Sequence, residues 1–461
     1  MSESFEERYD EGILEALPIE EAAPPRARAA TRAMPTRPFA LRGCVLTPRQ
    51  KLDDAYLVLE GSRIATVTST KPEGVDVLPT KGVILPGLID LHGHPEYNVF
   101  AAWEPPREYV NRHAWRGSKE YALVVKEPWR KLTAAPNSLL RELTRYAEVR
   151  ALVGGVTAIQ GASAKYPGKD EALVRNVDLP IFGRHQARSV VDLDRVDPAR
   201  RLSLRKQIDD GEVDAVYIHL AEGKRDNQRS QEEFGDLVDA NLLTDATVII
   251  HGTALTDESL GQLKDAGGKL VWSPQSNLRL YGQTTPAAKA LDLDIPLGLG
   301  ADWLPSGSQS LLAELSVARR TLAQQGKQGD AVDRKLVRMV TSEAAEIAGV
   351  GDELGTLAEG RPADVLVLER HYEDPWENVL AASPAWVELV TIGGDLTYGR
   401  ADWVGGLADP AAYEPLVAWG KRMLLDTHYA AAGTGAETPP TLEQLRTKLL
   451  GRFPQTGPIF A

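Results

Sequence analysis

Residues 86–94 decide the fold, and their sequence is Pro-Gly-Leu-Ile-Asp-Leu-His-Gly-His. The apolar run Leu88–Leu91 has the composition of a buried β-strand, and it leads into two histidines separated by one residue. Side chains two residues apart in a strand point the same way, so His92 and His94 should enter one space beyond the strand's carboxyl end. Imidazole is a preferred ligand of zinc-like cations. The stretch therefore predicts a metal site, with a chance His-x-His pair on a surface loop as the alternative.

Candidate ligands end three further apolar runs. Val216–Glu222 contains His219 and Glu222, Val248–His251 ends in histidine, and Gly298–Asp302 ends in aspartate. Glu222 lies three residues after His219, so it can face the same space only if the strand has ended and the chain curls into the next loop. A general acid or base is expected there. The alternative is a carboxylate in the first turn of a helix, where the helix dipole favours it.

Strand-like and helix-like segments alternate from Gly82 to Gly351, which is typical of a parallel α/β architecture. Seven strands are clear: Leu88–Leu91, Val156–Gln160, Ile181–Gln186, Ala215–Leu220, Val248–His251, Leu270–Ser273 and Leu297–Ala301. We expect an eighth between Arg188 and Gly211. The predicted fold class is α/β, a (β/α)8 TIM-type barrel, whose active sites lie at the carboxyl ends of the strands.

Short β-rich runs flank this stretch on both sides and predict a small β-sandwich domain built from both ends of the chain. Two unrelated hairpin modules are the alternative. The predicted divisions are a loosely ordered N-terminal arm at 1–37, the first part of the β domain at 38–86, the barrel at 87–353, the second part of the β domain at 354–402 and a C-terminal helical extension at 403–461. In that extension, Tyr413–Tyr429 and Thr441–Leu450 are the best helical candidates.

Composition limits the partners. The 461 residues carry a formal net charge of -13, which disfavours nucleic acid and anionic membranes because both require a basic face. The single cysteine, Cys44, excludes a disulfide within the chain. We find no secretory signal and no apolar stretch long enough to span a bilayer, so we expect a soluble, cytoplasmic protein with a small-molecule substrate. A homo-oligomer is expected only by analogy.

The order of these motifs resembles that of the amidohydrolase superfamily. The matching motifs are His-x-His at 92–94, His-x-x-Glu at 219–222, His-Gly at 251–252, Ser-Pro-x-Ser-Asn at 273–277 and Gly-Ala-Asp at 300–302. The resemblance spans about residues 39–400. More narrowly, it is similar to the metal-dependent branch that holds cytosine, guanine and adenosine-type deaminases and the s-triazine hydrolases.

The resemblance implies one divalent metal bound by His92, His94, His219 and Asp302. Zinc is expected, with iron(II) or manganese(II) as alternatives. Several relatives in the superfamily bridge two metals with a carboxylated lysine on a mid-barrel strand. Arg184-His185-Gln186 holds the nearest position in this chain, and the lack of a lysine there favours one metal.

The resemblance also implies a hydrolytic reaction through a metal-bound hydroxide, with Asp302 and Glu222 as proton shuttles and His251 orienting the water or the oxyanion. The favoured hypothesis is a hydrolytic deaminase of an amino-substituted heterocycle or guanidine-like group. A hydrolase of a cyclic amide or of another C–N or C–halogen bond would use the same ligands. A metal-free structural or binding protein is disfavoured because every expected ligand is present.

The substrate contacts are predicted from the loops that follow the strands. A segment rich in tryptophan and arginine follows His94 and could fold over the mouth of the site, stacking on a planar substrate or binding an acidic one. Ordinary packing of a barrel loop is the alternative. The predicted substrate-binding residues are Tyr97, Asn98, Trp103, Arg112, Trp115, Arg184, His185, Asn277 and Trp303, and Arg279 and Tyr281 are further candidates.

Overall fold

The computed structural model describes residues 35, 37–47, 50–162, 172–179, 181–182, 187–190, 192–193, 196–427 and 440–460. The arm predicted for residues 1–37 lies almost entirely outside these residues. Within them, no helix combines the length and the apolar character needed to cross a bilayer.

The strands and helices follow one another along the chain in the order expected of an α/β protein with β-rich flanks. The strands are β1 Phe39–Leu46, β2 Lys51–Glu60, β3 Arg63–Thr68, β4 Asp76–Pro86, β5 Leu88–Asp90, β6 Val156–Ile159, β7 Arg175–Asn176, β8 Ala187–Val190, β9 Ala215–Leu220, β10 Thr247–His251, β11 Lys269–Trp272, β12 Leu297–Leu299, β13 Val365–Leu368, β14 Val387–Ile392, β15 Asp395–Arg400, β16 Glu414–Ala418 and β17 Lys421–Leu425. The α-helices are α1 Arg112–Arg116, α2 Lys119–Tyr121, α3 Glu127–Thr133, α4 Leu140–Val153, α5 Pro198–Asp209, α6 Gln228–Asp239, α7 Asp257–Asp265, α8 Pro274–Tyr281, α9 Ala287–Asp292, α10 Leu311–Gln324, α11 Asp330–Arg338, α12 Ser342–Ile347, α13 Pro375–Ala381, α14 Ala401–Leu407 and α15 Leu442–Arg452.

The central strands are parallel and form the barrel. Among the described residues they pair as two sheets, in the orders β5-β6-β7 and β12-β11-β10-β9-β8. The amide of Leu91 donates to the carbonyl of Leu299 at 3.1 Å, which links the first strand to the last. Buried side chains such as Ile89, Tyr217 and Ile250 pack together between the strands. All carboxyl ends therefore meet at one rim, where a TIM-type barrel carries its chemistry.

The third barrel strand differs from the prediction, whereas the fourth begins one residue before the range in which it was expected. The strand predicted at Ile181–Gln186 is wrong at its start, because Ile181 and Phe182 lie outside any strand and Phe182 has a φ of 56°; residues 183–186 lie outside the described residues. The chain instead forms β7 and β8, and β8 pairs in parallel with β9. These strands contain Arg175 and Ser189 rather than a continuous apolar run, so hydrophobicity alone could not locate them.

Both flanks of the chain contribute to one large sheet. Its order is β16-β17-β15-β14-β13-β4-β1-β2-β3, and β4 pairs antiparallel with β13, with Pro86 opposite Val365. Leu41, Leu57 and Leu389 belong to the buried cluster that this sheet covers. The hydrogen bonds are those of one continuous sheet, and the sandwich arrangement stays a prediction.

The helix predicted over Tyr413–Tyr429 is wrong, because residues 414–425 form the hairpin β16–β17. Trp419 and Gly420 make its turn with φ values of 49° and 80°, the left-handed conformation that two-residue hairpin turns require. The alternating exposure of β16 is that of an edge strand. The second predicted helix is confirmed as α15, which Thr441 and Gln444 begin with a capping box.

Candidate metal centre

The backbone at the seam between β5 and β12 brings three candidate ligands together. The amide of Asp302 donates to the carbonyl of His92 at 2.9 Å, and the amide of His94 lies 3.3 Å from the carbonyl of Asp302. Gly300 permits this approach, because a Cβ added there would lie 2.4 Å from the Cβ of His92. The extension of two parallel strands by a few residues therefore places both histidines beside the aspartate.

Four side chains that the sequence predicts as ligands converge on one point. Nε2 of His92 and Nε2 of His94 lie 3.2 Å and 3.7 Å from Oδ1 of Asp302. The ring of His219, at the end of β9, lies 4.8 Å from the ring of His92 and 5.5 Å from that of His94. The potential ligand atoms of His92, His94 and His219 all lie within 4.8 Å of one another. This is a donor cluster of a size that a single cation can draw together.

The hydrogen bonding of His92 supports a cation in this cluster. Its side chain is 1% exposed, and neither ring nitrogen has a hydrogen-bond partner within the described part of the chain; the contact with Asp302 is close but lacks hydrogen-bond geometry. A buried polar atom without a partner is costly unless an ion or water satisfies it. The donor set, three imidazoles and one carboxylate, is one that zinc, iron(II) and manganese(II) accept. The residues present therefore fit a bound divalent metal.

The protonation states of His94, His219 and Asp302 also favour ligation. Burial, followed by repulsion from His92, lowers the pKa of His94 to about 3 and that of His219 well below its usual value. Burial alone would raise the pKa of Asp302, but the neighbouring imidazole of His92 outweighs it and holds this pKa well below its usual range. His94 and His219 are thus neutral and Asp302 is ionised at neutral pH, which are the forms that bind metals.

Glu222 and His251 lie side by side at the edge of the cluster. Glu222 is 4% exposed, and its Oε2 lies 3.7 Å from Nε2 of His251. The chain reaches this position through Ala221, whose φ of 53° turns it out of β9. His251 and Asp302 have φ values of 68° and 61°, a conformation that costs non-glycine residues energy and that concentrates at functional sites. The strand therefore ends before Glu222, which is the condition under which Glu222 can face the same space as His219.

Arg112 lies beneath the site rather than in its mouth. The side chain is 4% exposed, and the guanidinium contacts Asp192 at 3.0 Å and Glu233 at 2.8 Å. Arg116 binds the second oxygen of Asp192 at 2.9 Å. Burial alone would raise the pKa of Asp192, but the two guanidinium groups lower it to about 2. Both carboxylates belong to the protein, so the guanidinium is paired without a substrate, and its predicted contact with substrate stays a prediction. No pattern in the sequence indicates this ion-pair network.

The aromatic residues predicted after β5 line one side of the cluster. The ring of Trp303 lies 6.2 Å from His94, 5.4 Å from Tyr97 and 5.6 Å from Trp115. Trp103 is buried farther out, 6.1 Å from Tyr109. These distances are those of packed aromatic pairs. Among the described tyrosines and tryptophans, Tyr97 and Trp303 have the rings that contact His94, and they form the aromatic wall of the site.

The described polar residues that are predicted as substrate contacts form hydrogen bonds within the protein. Oδ1 of Asn98 accepts a hydrogen bond from the amide of Leu304 at 2.8 Å. Oδ1 of Asn277 lies 2.9 Å from Nδ1 of His251. Tyr281, named only as a further candidate, donates to Oε1 of Glu222 at 2.5 Å. The four-residue spacing of Asn277 and Tyr281 on a helix is a signal by which this pair could have been found. Arg184 and His185 lie outside the described residues.

Comparison with known proteins yields three findings. The amidohydrolase family model matches residues 215–397. A 5-methylthioadenosine/S-adenosylhomocysteine deaminase of Teredinibacter turnerae is 26% identical over 370 residues, covering 70% of this chain and 81% of the relative. Two solved structures cover 80% and 78% of the chain: an adenosine deaminase from Xanthomonas campestris with bound zinc (18% identity, 96% of that chain, TM-score 0.62) and a zinc complex of atrazine chlorohydrolase from Arthrobacter aurescens (20% identity, 94% of that chain, TM-score 0.63).

The fold and the cluster at the strand ends are those of a TIM-type barrel with a potential metal site at its rim. The resemblance to the amidohydrolase superfamily that the motifs predict is confirmed by these matches.

Proposed function

We propose that this protein is a metal-dependent hydrolase that removes ammonia from an amino-substituted heterocycle or a guanidine-like group. The observation that carries the proposal is the convergence of four candidate ligands with Glu222 and His251 at one rim of the barrel. The relative from Teredinibacter turnerae, which is named as a deaminase, supports this choice of leaving group.

One divalent cation, with zinc the first candidate, would be held by His92, His94, His219 and Asp302. When bound, the cation lowers the pKa of a water molecule toward neutrality and thereby supplies a nucleophile. The absence of a lysine from the described ends of the mid-barrel strands supports a single cation. The zinc in the two structural neighbours supports the choice of metal.

The side chains of this chain supply the proton transfers. The carboxylate of Asp302 is ionised and can accept the proton that water loses as its oxygen bonds to the substrate carbon. Glu222 faces the same space and, acting as an acid, can give a proton to the ring nitrogen. It then receives the proton that Asp302 took from water and passes it to the departing amine, and the protonated ring returns a proton to Glu222. His251 can hold the incoming oxygen through Nε2. The sum of these steps converts an amine and water into a hydroxy compound and ammonia.

A second candidate is hydrolysis of another bond, such as a cyclic amide or a C–halogen bond. Its support is the likeness to atrazine chlorohydrolase, which matches as much of the chain as the deaminase structures do. The same water-activating cluster would serve either reaction, because only the leaving group differs. The products therefore decide between the two.

The test uses the full-length protein loaded with zinc and a panel of amino-purines, amino-pyrimidines, amino-triazines, cyclic amides and chloro-triazines. Ammonia release and product masses showing an amino group replaced by hydroxyl support deamination. Chloride release or ring opening without ammonia supports the second candidate. A fully zinc-loaded protein that turns over no member of the panel contradicts both.

Two variants serve as matched controls. Glu222→Gln should retain zinc and keep only a small residual turnover, because it keeps the shape but removes the proton-transferring group. His371→Ala should retain both, because this histidine packs on Trp386, with 4.1 Å between ring centroids, and belongs to no metal cluster of the described residues.

A further inference from the structure

Helix α8 directs two polar side chains at the groups that handle protons. Asn277 and Tyr281 are separated by four residues, so they lie on the same face of the helix, and both are 0% exposed. Asn277 contacts His251, and Tyr281 contacts Glu222. One short helix therefore touches both residues to which the proposed function assigns proton transfer and substrate orientation.

The orientation of the Asn277 amide follows from its other partners. The hydroxyl of Thr285 donates to the carbonyl of His251, so its oxygen is left to accept from Nδ2 of Asn277 at 3.2 Å. Oγ1 of Thr284 accepts from the indole of Trp272 at 2.7 Å and also lies 3.3 Å from Nδ2. With its amino group facing two acceptors, Asn277 must present its carbonyl oxygen to His251.

The carbonyl of Asn277 in turn fixes the tautomer of His251. An acceptor 2.9 Å from Nδ1 requires that this nitrogen carry the hydrogen. The neutral ring then has its lone pair on Nε2, the nitrogen that faces Glu222 across 3.7 Å. The opposite tautomer would place two acceptors only 2.9 Å apart at Nδ1, whereas the chosen tautomer leaves the lone pair of Nε2 3.7 Å from Oε2 of Glu222, beyond hydrogen-bond distance.

The hydroxyl of Tyr281 is equally constrained. The indole nitrogen of Trp115, which can only donate, lies 2.8 Å from this hydroxyl oxygen. The single hydrogen of Tyr281 is therefore directed to Oε1 of Glu222 at 2.5 Å. That bond occupies one carboxylate oxygen and turns the other, Oε2, toward His251.

We propose that Asn277 and Tyr281 are positioning residues: Asn277 holds His251 with its lone pair on Nε2, and Tyr281 holds Glu222 with Oε2 facing the reaction space. This inference rests on the proposed roles of His251 and Glu222. Packing alone does not account for the pair, because a phenylalanine and a leucine would fill the same buried volume without the polar atoms that each require a partner.

The first test reads the tautomer directly. In zinc-loaded protein labelled with ¹⁵N at its histidine rings, the His251 signals, assigned by their loss in His251→Gln, should show a hydrogen on Nδ1. Asn277→Asp, which keeps an acceptor, should preserve this pattern, and Asn277→Leu should abolish it. A hydrogen on Nε2 in the unaltered protein overturns the proposal for Asn277. Because this measurement needs no turnover, it stands even if no substrate is found.

The second test uses kinetics on a substrate identified by the panel. Tyr281→Phe and Asn277→Leu should each lower kcat by about 10–100-fold, with KM within about twofold and zinc content unchanged. Asn277→Asp should recover part of the loss. In the Glu222→Gln background, Tyr281→Phe should have no further effect, because the tyrosine acts through that carboxylate.

Tyr398→Phe is the matched control for Tyr281→Phe. Tyr398 is also a buried tyrosine, but it lies on β15, and its hydroxyl has no hydrogen-bond partner among the described residues. Its loss should leave kcat unchanged. Equal losses in Tyr281→Phe and Tyr398→Phe, an unchanged kcat in Tyr281→Phe, or a loss that persists in the Glu222→Gln background would each overturn the role assigned to Tyr281.

Discussion

Replacement of Arg112 by methionine tests whether this residue supports the protein or binds substrate. Arg112→Met keeps much of the side-chain volume but removes the charge that lies between Asp192 and Glu233. Asp192 is fully buried and would lose the 3.0 Å contact with Arg112 while keeping Arg116 at 2.9 Å. Glu233 would lose its 2.8 Å contact and keep His113 at 3.5 Å. The variant should therefore be less stable, because two carboxylates lose part of their charge compensation.

The expected magnitude follows from this burial. Removing one partner of a buried ion pair costs about 3–5 kcal/mol, and for a chain of this length that loss corresponds to a fall of several degrees in the melting temperature. KM should change little, because the guanidinium is already bound by protein carboxylates. The measurement is thermal unfolding of zinc-loaded protein, together with KM on a substrate identified by the panel.

A surface ion pair provides the control. Arg42 and Asp54 are 43% and 68% exposed, so Arg42→Met should leave the melting temperature almost unchanged. Arg112→Met could instead have the melting temperature of the unaltered protein and a KM raised selectively for acidic substrates. The guanidinium would then bind the substrate, and the structural role assigned to Arg112 would be refuted.

Three further predictions concern the metal, the barrel seam and a buried carboxyl group. His219→Ala and Asp302→Asn should lose stoichiometric zinc by elemental analysis, whereas His371→Ala should retain it; retention of full zinc by either ligand variant would contradict the ligand set. Gly300→Ala should lower zinc affinity because its Cβ would meet His92 at 2.4 Å, whereas Gly235→Ala, with open space around it, should leave zinc binding unchanged; equal affinities in a zinc titration would show that the seam tolerates a side chain. Burial raises the pKa of Glu314 from 4.5 to about 8, so the folded state holds this proton more tightly and stability should fall by up to about 1.4 kcal/mol per pH unit between these values. In denaturant titrations across that pH range, the free energy of unfolding of Glu314→Gln should lack this pH-dependent loss. Parallel curves of unfolding free energy against pH for the two proteins would contradict the prediction.

The sequence predicts the barrel correctly where the apolar run of a strand ends in a potential metal ligand. In β5 and β9, an apolar run and a histidine at its end locate the strand and the site together. The strands β7 and β8 lack such runs. Arg175 instead forms two hydrogen bonds with Asp364, far along the chain, and no local pattern reveals such a contact. The β16–β17 hairpin was mistaken for a helix because its alternation is short and its turn contains tryptophan.

The candidate site divides in the same way. The proposed metal ligands were named from strand ends because the barrel brings all such ends to one rim. Arg112 was assigned to the substrate because a sequence shows its charge but not the burial of Asp192 beside it. Tyr281 received little weight because its importance depends on two contacts from distant segments, Trp115 and Glu222.

The pairing of β4 with β13 has a consequence for synthesis. β4 is made early, yet more than half of the chain must leave the ribosome before β13 can cover its edge. Until then, an apolar strand edge is available to other chains, and such edges promote aggregation. The nascent protein should therefore depend on chaperones that shield β4 until β13 is made, and expression at low temperature should favour its recovery in folded form.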